Sequence, residues 1–285
     1  MKFFCVTKPN QEVTRDLLKK LAQEKDLEFI NIDVDSFDIG NLKYQKQKGI
    51  FYRVASGSQA KNIELFLLEN NNFTTFYSNT KAAYFSSNDI ALQKFYKLPI
   101  PKTITFLTDD YGFLEKAVKY VGGFPVIIKV TGLSHGAGVM KINTMETLIS
   151  VVGFLKKNDT KSMVIREYID SYRHARLVVI GSAVVDSIEY IVPENDFRTN
   201  VGTPQVKSEE FPKEFSEIAI KAVNIMDLEF GGIDILIGKD DRPYLAEVNF
   251  PCYFPRNQLA TKIDVSGMMI DYLVEKYNKE NDKRN

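Results

Sequence analysis

Short apolar runs and helical repeats alternate along the first 80 positions of the chain. The runs KFFCV, EFINIDV and GIFYRV are typical of buried strands. Between them, QEVTRDLLKKLAQE places Val13, Leu17 and Leu21 at helical spacing, and QAKNIELFLLEN predicts a second helix. Strands that alternate with helices in this way favour a small α/β domain with a parallel sheet.

A connecting region, residues 79–103, follows this domain. Pro99 and Pro101 stop its helix and begin an extended segment. The pattern then predicts, in order, a strand (TITF), a helix (DDYGFLEKAVKYV), a strand (FPVIIKV), a glycine-rich loop, a strand (GVMKIN) and a helix (METLISVVGFLKK).

The following stretch begins with three predicted strands, SMVIREYI, ARLVVIG and SAVVDSIEYIV. A helix is predicted over residues 211–227, because apolar side chains recur at helical spacing from Phe215 to Met226. A strand–turn–strand pattern and a last helix, SGMMIDYLVEKYNK, come after it.

Polar residues interrupt the strand–turn–strand pattern GGIDILIGKDDRPYLAEVNF. The turn formers at 239–243 predict a hairpin. If Gly238 pairs with Pro243, Asp234 lies directly opposite Glu247. The two carboxylates then occupy strand positions where a plain core strand would have valine or isoleucine.

Three oxygen-bearing side chains converge on one face of this hairpin: Asp234, Glu247 and Asn249, the last two sharing a face because they are two residues apart. Opposed carboxylates without a counter-charge repel each other. A bound cation removes that cost, and an incomplete set of oxygen ligands suits Mg²⁺, which keeps waters and shares phosphate oxygens. A surface hairpin whose polar face is only hydrated also explains the pattern.

Composition narrows the class of protein. The 285 residues are 44% hydrophobic and 26% charged, as in ordinary globular proteins. The 37 basic and 37 acidic residues leave no net field to attract nucleic acid or an anionic membrane. The initial apolar run is too short for a signal peptide, and no stretch approaches the ~20 apolar residues of a membrane helix.

Cysteine and histidine usage fits a reducing compartment. Cys5 and Cys252 have neither a pairing pattern nor metal-ligand spacing, so a cytoplasmic location is expected. The two histidines, His135 and His174, are too few for a histidine-rich zinc site.

A glycine-rich loop follows Lys129 in IIKVTGLSHGAGV. Ser134, Gly136 and Gly138 leave backbone N–H groups free to approach an anion, and Lys129 adds a fixed cation. The loop joins two strands and matches neither G-x-x-x-x-G-K-[ST] nor G-x-G-x-x-G. Taken alone it is more typical of an ordinary hairpin loop, in which His135 faces solvent.

Three arginines are placed where they could bind anions. Arg198 follows a turn in ENDFRTN, and Arg176 begins the strand HARLVV. Arg256 lies a few residues past Asn249 in FPRNQ. Arginine binds carboxylate or phosphate bidentately, but each of these residues taken singly is more typical of a solvated surface arginine.

The order of these features resembles the ATP-grasp superfamily and, within it, the RimK-type amino-acid and peptide ligases. The similarity is carried by NDFRTN, FGGIDIL, EVN and TKIDVSGMMIDYL, which occur in the family's order and near its spacings. It implies an α/β (α+β) ATP-grasp fold. The expected parts are an N-terminal pre-ATP-grasp domain over 1–85, a central subdomain with a phosphate lid over 86–163, and a C-terminal subdomain with the metal site over 164–285.

The resemblance also assigns the site. Asp234, Glu247 and Asn249 match the Mg²⁺ ligands, and Lys129 and Arg198 match residues expected to act in catalysis. The matched nucleotide-binding positions lie in the lid, in the hinge REYID, whose backbone reads adenine, and in the strands beyond it: Lys129, Ser134, His135, Gly136, Gly138, Glu167, Tyr168, Ile169, Asp170, His174, Arg198 and Asn200.

The implied reaction forms an amide or peptide bond at the expense of ATP. A substrate carboxylate, from a glutamate-like amino acid, attacks the γ-phosphorus to give an acyl phosphate. The amine of a small-molecule, peptide or protein acceptor displaces the phosphate. Positioning and charge neutralisation carry such a reaction. Residues expected to contact substrate are Arg176, Tyr253 and Arg256.

The resemblance further implies ATP and two Mg²⁺ ions as cofactors, with Mn²⁺ as a substitute. No nucleic acid or membrane partner is expected. A homo-oligomer, either a dimer or a tetramer, is compatible with the resemblance.

Three departures from the family pattern bear on this hypothesis. Ser86 stands where many relatives carry a first ATP-binding lysine. Two alternatives follow: either Lys81 or Lys94 replaces that lysine, or the affinity for nucleotide is lower. His174 stands where an acidic residue is common. After EVN, the segment FPCYFPRNQ is bulkier and more aromatic than in many relatives, so the namesake's transfer of glutamate to a ribosomal protein is not implied.

A second hypothesis belongs to another class. The chain could be a nucleotide-binding scaffold or sensor without ligase turnover, as the loss of the first lysine suggests. The complete set of metal ligands favours the ligase.

Overall fold

The computed structural model of the chain describes residues 1–41, 44–130, 137–158, 162–191, 196–198 and 205–282, without the side chain of Tyr172. Within these ranges the strands form three sheets. None of the helices in the same ranges combines the length and the apolar character needed to cross a lipid bilayer.

The first sheet contains four parallel strands in the order β2-β1-β3-β4. Its strands are β1 (Lys2–Thr7), β2 (Glu28–Asp33), β3 (Lys48–Arg53) and β4 (Asn72–Thr74), and the two helices are α1 (Glu12–Glu24) and α2 (Ser58–Asn70). Helix α1 packs on the face that carries Phe3 and Cys5, and α2 packs on the face of Phe4 and Val6. Since both faces are covered, the first strand is continuously apolar, and the predicted small α/β domain is confirmed.

The connecting region contains a 3-10 helix, Thr80–Tyr84, and the short helix α3 (Ile90–Phe95). Asp89 caps α3 by accepting a hydrogen bond from the backbone N–H of Leu92. An extended segment follows the helix, as the prolines predict.

The second sheet is antiparallel and has the order β5-β8-β6-β7. Its elements are β5 (Thr103–Ile104), α4 (Tyr111–Tyr120), β6 (Val126–Val130), β7 (Val139–Ile142), α5 (Met145–Lys157) and β8 (Met163–Glu167). Val126 and Ile128 pack against the two helices together with Ile165. Lys129 therefore points to the opposite, helix-free face.

The third sheet has five antiparallel strands in the order β11-β10-β9-β12-β13. Its elements are β9 (Ser171–Ile180), β10 (Ala183–Tyr190), β11 (Val206–Ser208), α6 (Lys213–Asn224), β12 (Phe230–Gly238), β13 (Pro243–Asn249), α7 (Pro255–Thr261) and α8 (Val265–Asp282). The predicted apolar stripe from Phe215 to Met226 packs α6 and the turn after it onto one face of this sheet.

The other face of the third sheet is divided in two. Val178 and Ile180 on β9 share a buried core with Phe3, Phe230 and Leu273, so the first sheet and helix α8 cover that half. The other half carries His174, Arg176 and the hairpin carboxylates. The polar patch therefore lies on a sheet face whose far half is anchored by apolar packing.

Several short elements are not predicted from the sequence, namely β4, β11, α7 and the 3-10 helices. The predicted strand TITF is reduced to two residues. Strand β8 completes the second sheet and the third sheet begins at Ser171, while the expected boundary between 163 and 164 stays a prediction.

Helix α8 should contribute strongly to stability because Leu273 is buried in the core that it shares with the first sheet. We expect Leu273→Ala to lower the free energy of unfolding by about 2–5 kcal/mol. The control Met268→Ala, on the exposed side of the same helix, should cost under about 0.5 kcal/mol. Urea unfolding measures both, and equal effects would contradict this packing.

Candidate functional site

The hairpin of β12 and β13 brings the predicted metal ligands together through an unexpected register. The assumed pairing of Gly238 with Pro243 is wrong by one residue, because Ile237 pairs with Pro243. Asp234 nevertheless lies opposite Glu247, as predicted. The ladder shifts by one residue between the turn and this pair, which cancels the error.

The shift is a β-bulge in which Ala246 is the extra residue of β13. In a regular strand Glu247 would share the core side with Leu245, because alternate residues point to the same face. The bulge instead turns Glu247 to the face of Asp234 and keeps both Leu245 and Val248 in the core. The extra residue thus brings Glu247 to the polar patch while the apolar side chains on either side stay in the core.

Asp234 is a buried carboxylate surrounded by nitrogen atoms. Its Oδ2 accepts hydrogen bonds from Arg176 Nη1 at 2.8 Å and from Asn249 Nδ2 at 2.9 Å, and its Oδ1 lies 3.3 Å from His174 Nε2. Burial acts to raise the pKa of Asp234, but the charge of Arg176 and the contact with His174 outweigh it and hold the pKa well below its ordinary value. Asp234 is therefore ionised.

A glycine gives Arg176 room to reach this carboxylate. A Cβ at Gly232 would lie 2.4 Å from Arg176 Nη2 and 2.6 Å from Cys252 Sγ, which is closer than side chains approach. Cys252 is itself buried, and burial raises the pKa of its thiol. Arg176, predicted to contact substrate, thus lies beneath the patch as the counter-charge of Asp234.

The helix-free face of the second sheet forms the opposite wall. Lys129 Nζ lies 3.2 Å from Glu247 Oε1, so the predicted phosphate lysine reaches across to the predicted metal ligand. Lys141 shares this face, since it pairs with Ile127, two residues from Lys129. Its Nζ lies 3.9 Å from the centroid of the Tyr168 ring. Lys141 is not predicted from the sequence, although a lysine within the apolar strand GVMKIN is a signal for it.

The donor set fits Mg²⁺ with an incomplete shell. Asp234 is ionised, Glu247 is about one-third exposed, and Asn249 donates through Nδ2 to Asp234 and to the Gly232 carbonyl, which leaves its amide oxygen for a cation. The third protein donor is thus an amide, and no group of three His, Cys, Asp or Glu side chains in the described ranges is placed to hold a metal. Lys129 and Arg176 oppose a lone dication, and anionic phosphate would remove that repulsion.

The predicted phosphate lid is only partly described. Ser134, His135 and Gly136, together with Asn200, lie outside the described residues. Gly138 closes the loop onto β6 with a φ of +74°, which glycine adopts readily, and its carbonyl accepts a hydrogen bond from Val130 N at 2.9 Å.

The predicted hinge follows the end of β8. Glu167 is fixed to Lys102, because its backbone N–H donates to the Lys102 carbonyl and its Oε2 accepts from Lys102 N at 3.0 Å. The carbonyl of Ile169 accepts from Ser171 N at 2.8 Å, and Asp170 pairs with Lys239 at 2.6 Å. The hinge is thus linked to Lys102 at one end and to Lys239 at the other, and its reading of adenine stays a prediction.

The other predicted cations have local partners. Arg198 forms a bidentate pair with Asp196, with a shortest distance of 2.8 Å, and its role near the γ-phosphate stays a prediction. Lys94 donates through Nζ to the Thr103 carbonyl, and Lys81 is exposed in the 3-10 helix. Ser86 accepts a hydrogen bond from Asn88 N at 3.2 Å.

The segment after the hairpin is anchored by the first sheet. The Tyr52 hydroxyl donates to the Cys252 carbonyl at 3.3 Å and accepts from its N–H at 3.2 Å. Phe250 packs edge-on against Tyr77, with ring centroids 5.2 Å apart. The N-terminal domain thus fixes the backbone that bears Tyr253. The contact joins residues 200 positions apart, and the sequence does not predict it.

Arg256 lies between two tyrosine rings. Its guanidinium carbon is 6.0 Å from the centroid of Tyr190 and 5.8 Å from that of Tyr253. Tyr190 in turn contacts the ring of His174 at 4.8 Å. A row of side chains thus connects Asp234 to Arg256, and no carboxylate of the described residues lies within ion-pair distance of Arg256.

Comparisons with known proteins show what the chain is similar to. The family described as the RimK-like ATP-grasp domain matches residues 86–273. A protein of Rhodopirellula baltica described as a probable alpha-L-glutamate ligase is 31% identical over 208 residues, which are 70% of this chain and 50% of that protein. The chain therefore spans half the length of this relative.

Two solved structures are similar over nearly the whole chain. The ATP-grasp ligase PsnB, complexed with a phosphomimetic variant of its minimal precursor, Mg and ADP, has a TM-score of 0.73 at 16% identity, covering 96% of this chain and 98% of that one. The D-alanine–D-alanine ligase from Bacillus anthracis has a TM-score of 0.72 at 15% identity, with both chains fully covered. These similarities show the fold, so the expected ATP-grasp fold is confirmed.

The buried pair of Arg176 and Asp234 predicts a large effect on stability. Arg176→Met leaves a buried carboxylate without its counter-charge, so we expect the free energy of unfolding to fall by about 3–5 kcal/mol. Lys129→Met removes a partly exposed partner of Glu247 and should change it by less than about 1 kcal/mol. Urea unfolding of both variants tests this, and similar losses in the two would show that Arg176 is not the essential counter-charge.

Proposed function

Because the chain belongs to the RimK-like ATP-grasp family, we propose that it is an ATP-dependent ligase that joins a carboxylate to an amine. The main support is one observation: Asp234, Glu247 and Asn249 share a sheet face, and Lys129 reaches Glu247 from the facing sheet. Oxygen donors on one wall and a cation on the other suit a magnesium-bound polyphosphate held between them.

The names of related proteins support the substrate class. The relative from Rhodopirellula baltica is described as a probable alpha-L-glutamate ligase, and PsnB is a ligase complexed with a precursor, Mg and ADP. We infer an amino acid, glutamate-like in character, as one substrate and an amine-bearing small molecule, peptide or protein as the other. Use of two Mg²⁺ ions, and of Mn²⁺ as a substitute, belongs to the same proposal.

The proposed reaction has two displacement steps. A carboxylate oxygen of the acid forms a bond to the γ-phosphorus, and the bond to the β,γ-bridging oxygen breaks, which releases ADP. The amine nitrogen then attacks the carbonyl carbon of the acyl phosphate, inorganic phosphate leaves, and the nitrogen loses a proton. No enzyme nucleophile takes part, which agrees with the buried, protonated Cys252.

The residues of the chain divide the work by position. Asp234, Glu247 and Asn249 would hold Mg²⁺, which would neutralise negative charge on the phosphate groups when bound. Lys129 would exchange its contact with Glu247 for a phosphate oxygen, and Arg198 would stabilise charge that develops during transfer. Arg176 is the buried counter-charge that keeps Asp234 ionised. This is a structural role, in addition to the predicted contact with substrate.

The segment FPCYFPRNQ would select the substrate. Tyr253 and Arg256 follow the metal ligands by a few residues, and the first sheet holds their backbone through Tyr52. Arg256, set between two tyrosine rings, could bind a substrate carboxylate bidentately.

The test of the proposal is ADP release over a panel of amino acids and peptides in the presence of ATP and Mg²⁺. We expect release that depends on a particular acid and amine, with a product whose mass is their sum less one water. The control Glu247→Gln should lose this release while it keeps the wild-type melting temperature, since Glu247 is partly exposed. Nucleotide binding without acceptor-dependent release across the panel would favour the scaffold or sensor that Ser86 suggests.

Arg256→Ala should separate substrate binding from packing. If Arg256 holds a substrate carboxylate, its loss should raise the KM of that substrate at least tenfold, about 1.4 kcal/mol. The KM for ATP and the melting temperature should stay nearly unchanged. Steady-state kinetics measures both constants, with Arg242→Ala, an exposed arginine of the hairpin turn, as the matched control. Early melting, or weaker binding of ATP and substrate alike, would instead assign Arg256 to packing.

A further inference from the structure

Arg166 is a buried arginine that points from the second sheet toward the third. It pairs with Ile127 in the ladder of β8 and β6, so it shares the helix-free face with Lys129. Its exposed fraction is only 8%. A cation is seldom buried without specific partners, so its contacts indicate its role.

The guanidinium of Arg166 connects two backbone segments. Nη1 donates to the carbonyl of Ala246 at 3.1 Å, and Nε donates to the Thr103 hydroxyl oxygen at 3.0 Å. The Thr103 hydroxyl donates in turn to the Pro101 carbonyl at 2.8 Å. Thr103 therefore orients the guanidinium of Arg166 through Nε, while Nη1 binds the backbone of β13.

The carbonyl that Arg166 binds belongs to the bulge residue. Ala246 has no partner in the ladder of β12 and β13, so its backbone groups need partners elsewhere. Strand β13 is also at the edge of its sheet, and its open side is met by the connecting region: Leu245 N donates to the Pro99 carbonyl at 2.7 Å. Arg166 is thus the charged donor that binds β13 at its bulge residue.

We propose that Arg166 is a positioning residue for the magnesium site, which it controls by holding the bulge at Ala246. With the bulge fixed, Glu247 stays on the face of Asp234 rather than rotating toward the core side of Leu245. The inference rests on the proposed function, because it assigns Arg166 to the metal site of the ligase.

Positioning and simple charge effects predict opposite results. Arg166 carries a positive charge close to the patch, so its removal would strengthen the binding of a dication if Coulomb repulsion alone mattered. If Arg166 instead positions Glu247, its removal weakens Mg²⁺ binding, because a ligand loses its fixed geometry. The sign of the change therefore identifies the mechanism.

The experiment measures ADP binding by calorimetry, first in EDTA and then at increasing Mg²⁺, for the wild type, Arg166→Met and Arg166→Lys. We expect Arg166→Met to leave ADP affinity in EDTA nearly unchanged. The Mg²⁺ concentration that gives half of the maximal Mg²⁺-dependent increase in ADP affinity should rise roughly tenfold. Arg166→Lys keeps one donor to the Ala246 carbonyl and should show a smaller rise, and it replaces Arg166→Met if that variant does not fold.

The matched control is Arg173→Met, which removes an arginine of β9 from the face of the third sheet opposite the metal-ligand patch, where it binds Glu189 and Glu209. It should leave the Mg²⁺ dependence unchanged. An unchanged or lower Mg²⁺ requirement in both Arg166 variants, with normal coupling in the wild type, would overturn the positioning role alone. A wild type that binds no ADP, or binds it independently of Mg²⁺, would overturn the proposed function together with this inference.

Discussion

The extra residue Ala246 in β13 is the constraint on which the candidate site depends. Leu245 and Val248 are both core residues although three positions separate them, and a strand of regular alternation cannot place both on one face. The bulge resolves this and turns Glu247 toward Asp234. Core packing and the geometry of the polar patch are therefore set by the same irregularity.

Charge balance is the second requirement, and two different cations meet it. Arg176 neutralises the fully buried Asp234 from within its own sheet, and Lys129 neutralises the half-buried Glu247 from the facing sheet. The first pair is part of the fold, since its separation would leave a charge in the interior. The second pair is partly exposed and can open, which leaves Lys129 available to an anionic ligand.

The predicted opposition of Asp234 and Glu247 is correct because two deviations cancel: the assumed turn pairing is off by one residue, and the bulge shifts the ladder back by one. The core pair Leu245 and Val248 was a signal for that bulge, because apolar residues three apart do not fit a strand period of two. Motif order likewise supported the family and the fold, both of which the comparisons show.

The contacts that support the candidate site could not be predicted from the sequence. Arg166 and Ala246 are 80 residues apart, and Tyr52 and Cys252 are 200 apart, so only the folded arrangement of the sheets joins them. Local pattern carries no information on such pairs. The roles predicted for His135 and Asn200 stay predictions, since both residues lie outside the described ranges.

Calorimetric titration of Mg²⁺ into the protein, with and without saturating ADP, tests the central claim most directly. Two carboxylates and an amide beside two cations form a sparse site, so Mg²⁺ alone should bind weakly. With ADP present its affinity should increase by about tenfold or more, with the reciprocal gain in ADP affinity that linkage requires. Tight Mg²⁺ binding in the absence of nucleotide, or an affinity that ADP does not change, would contradict the account.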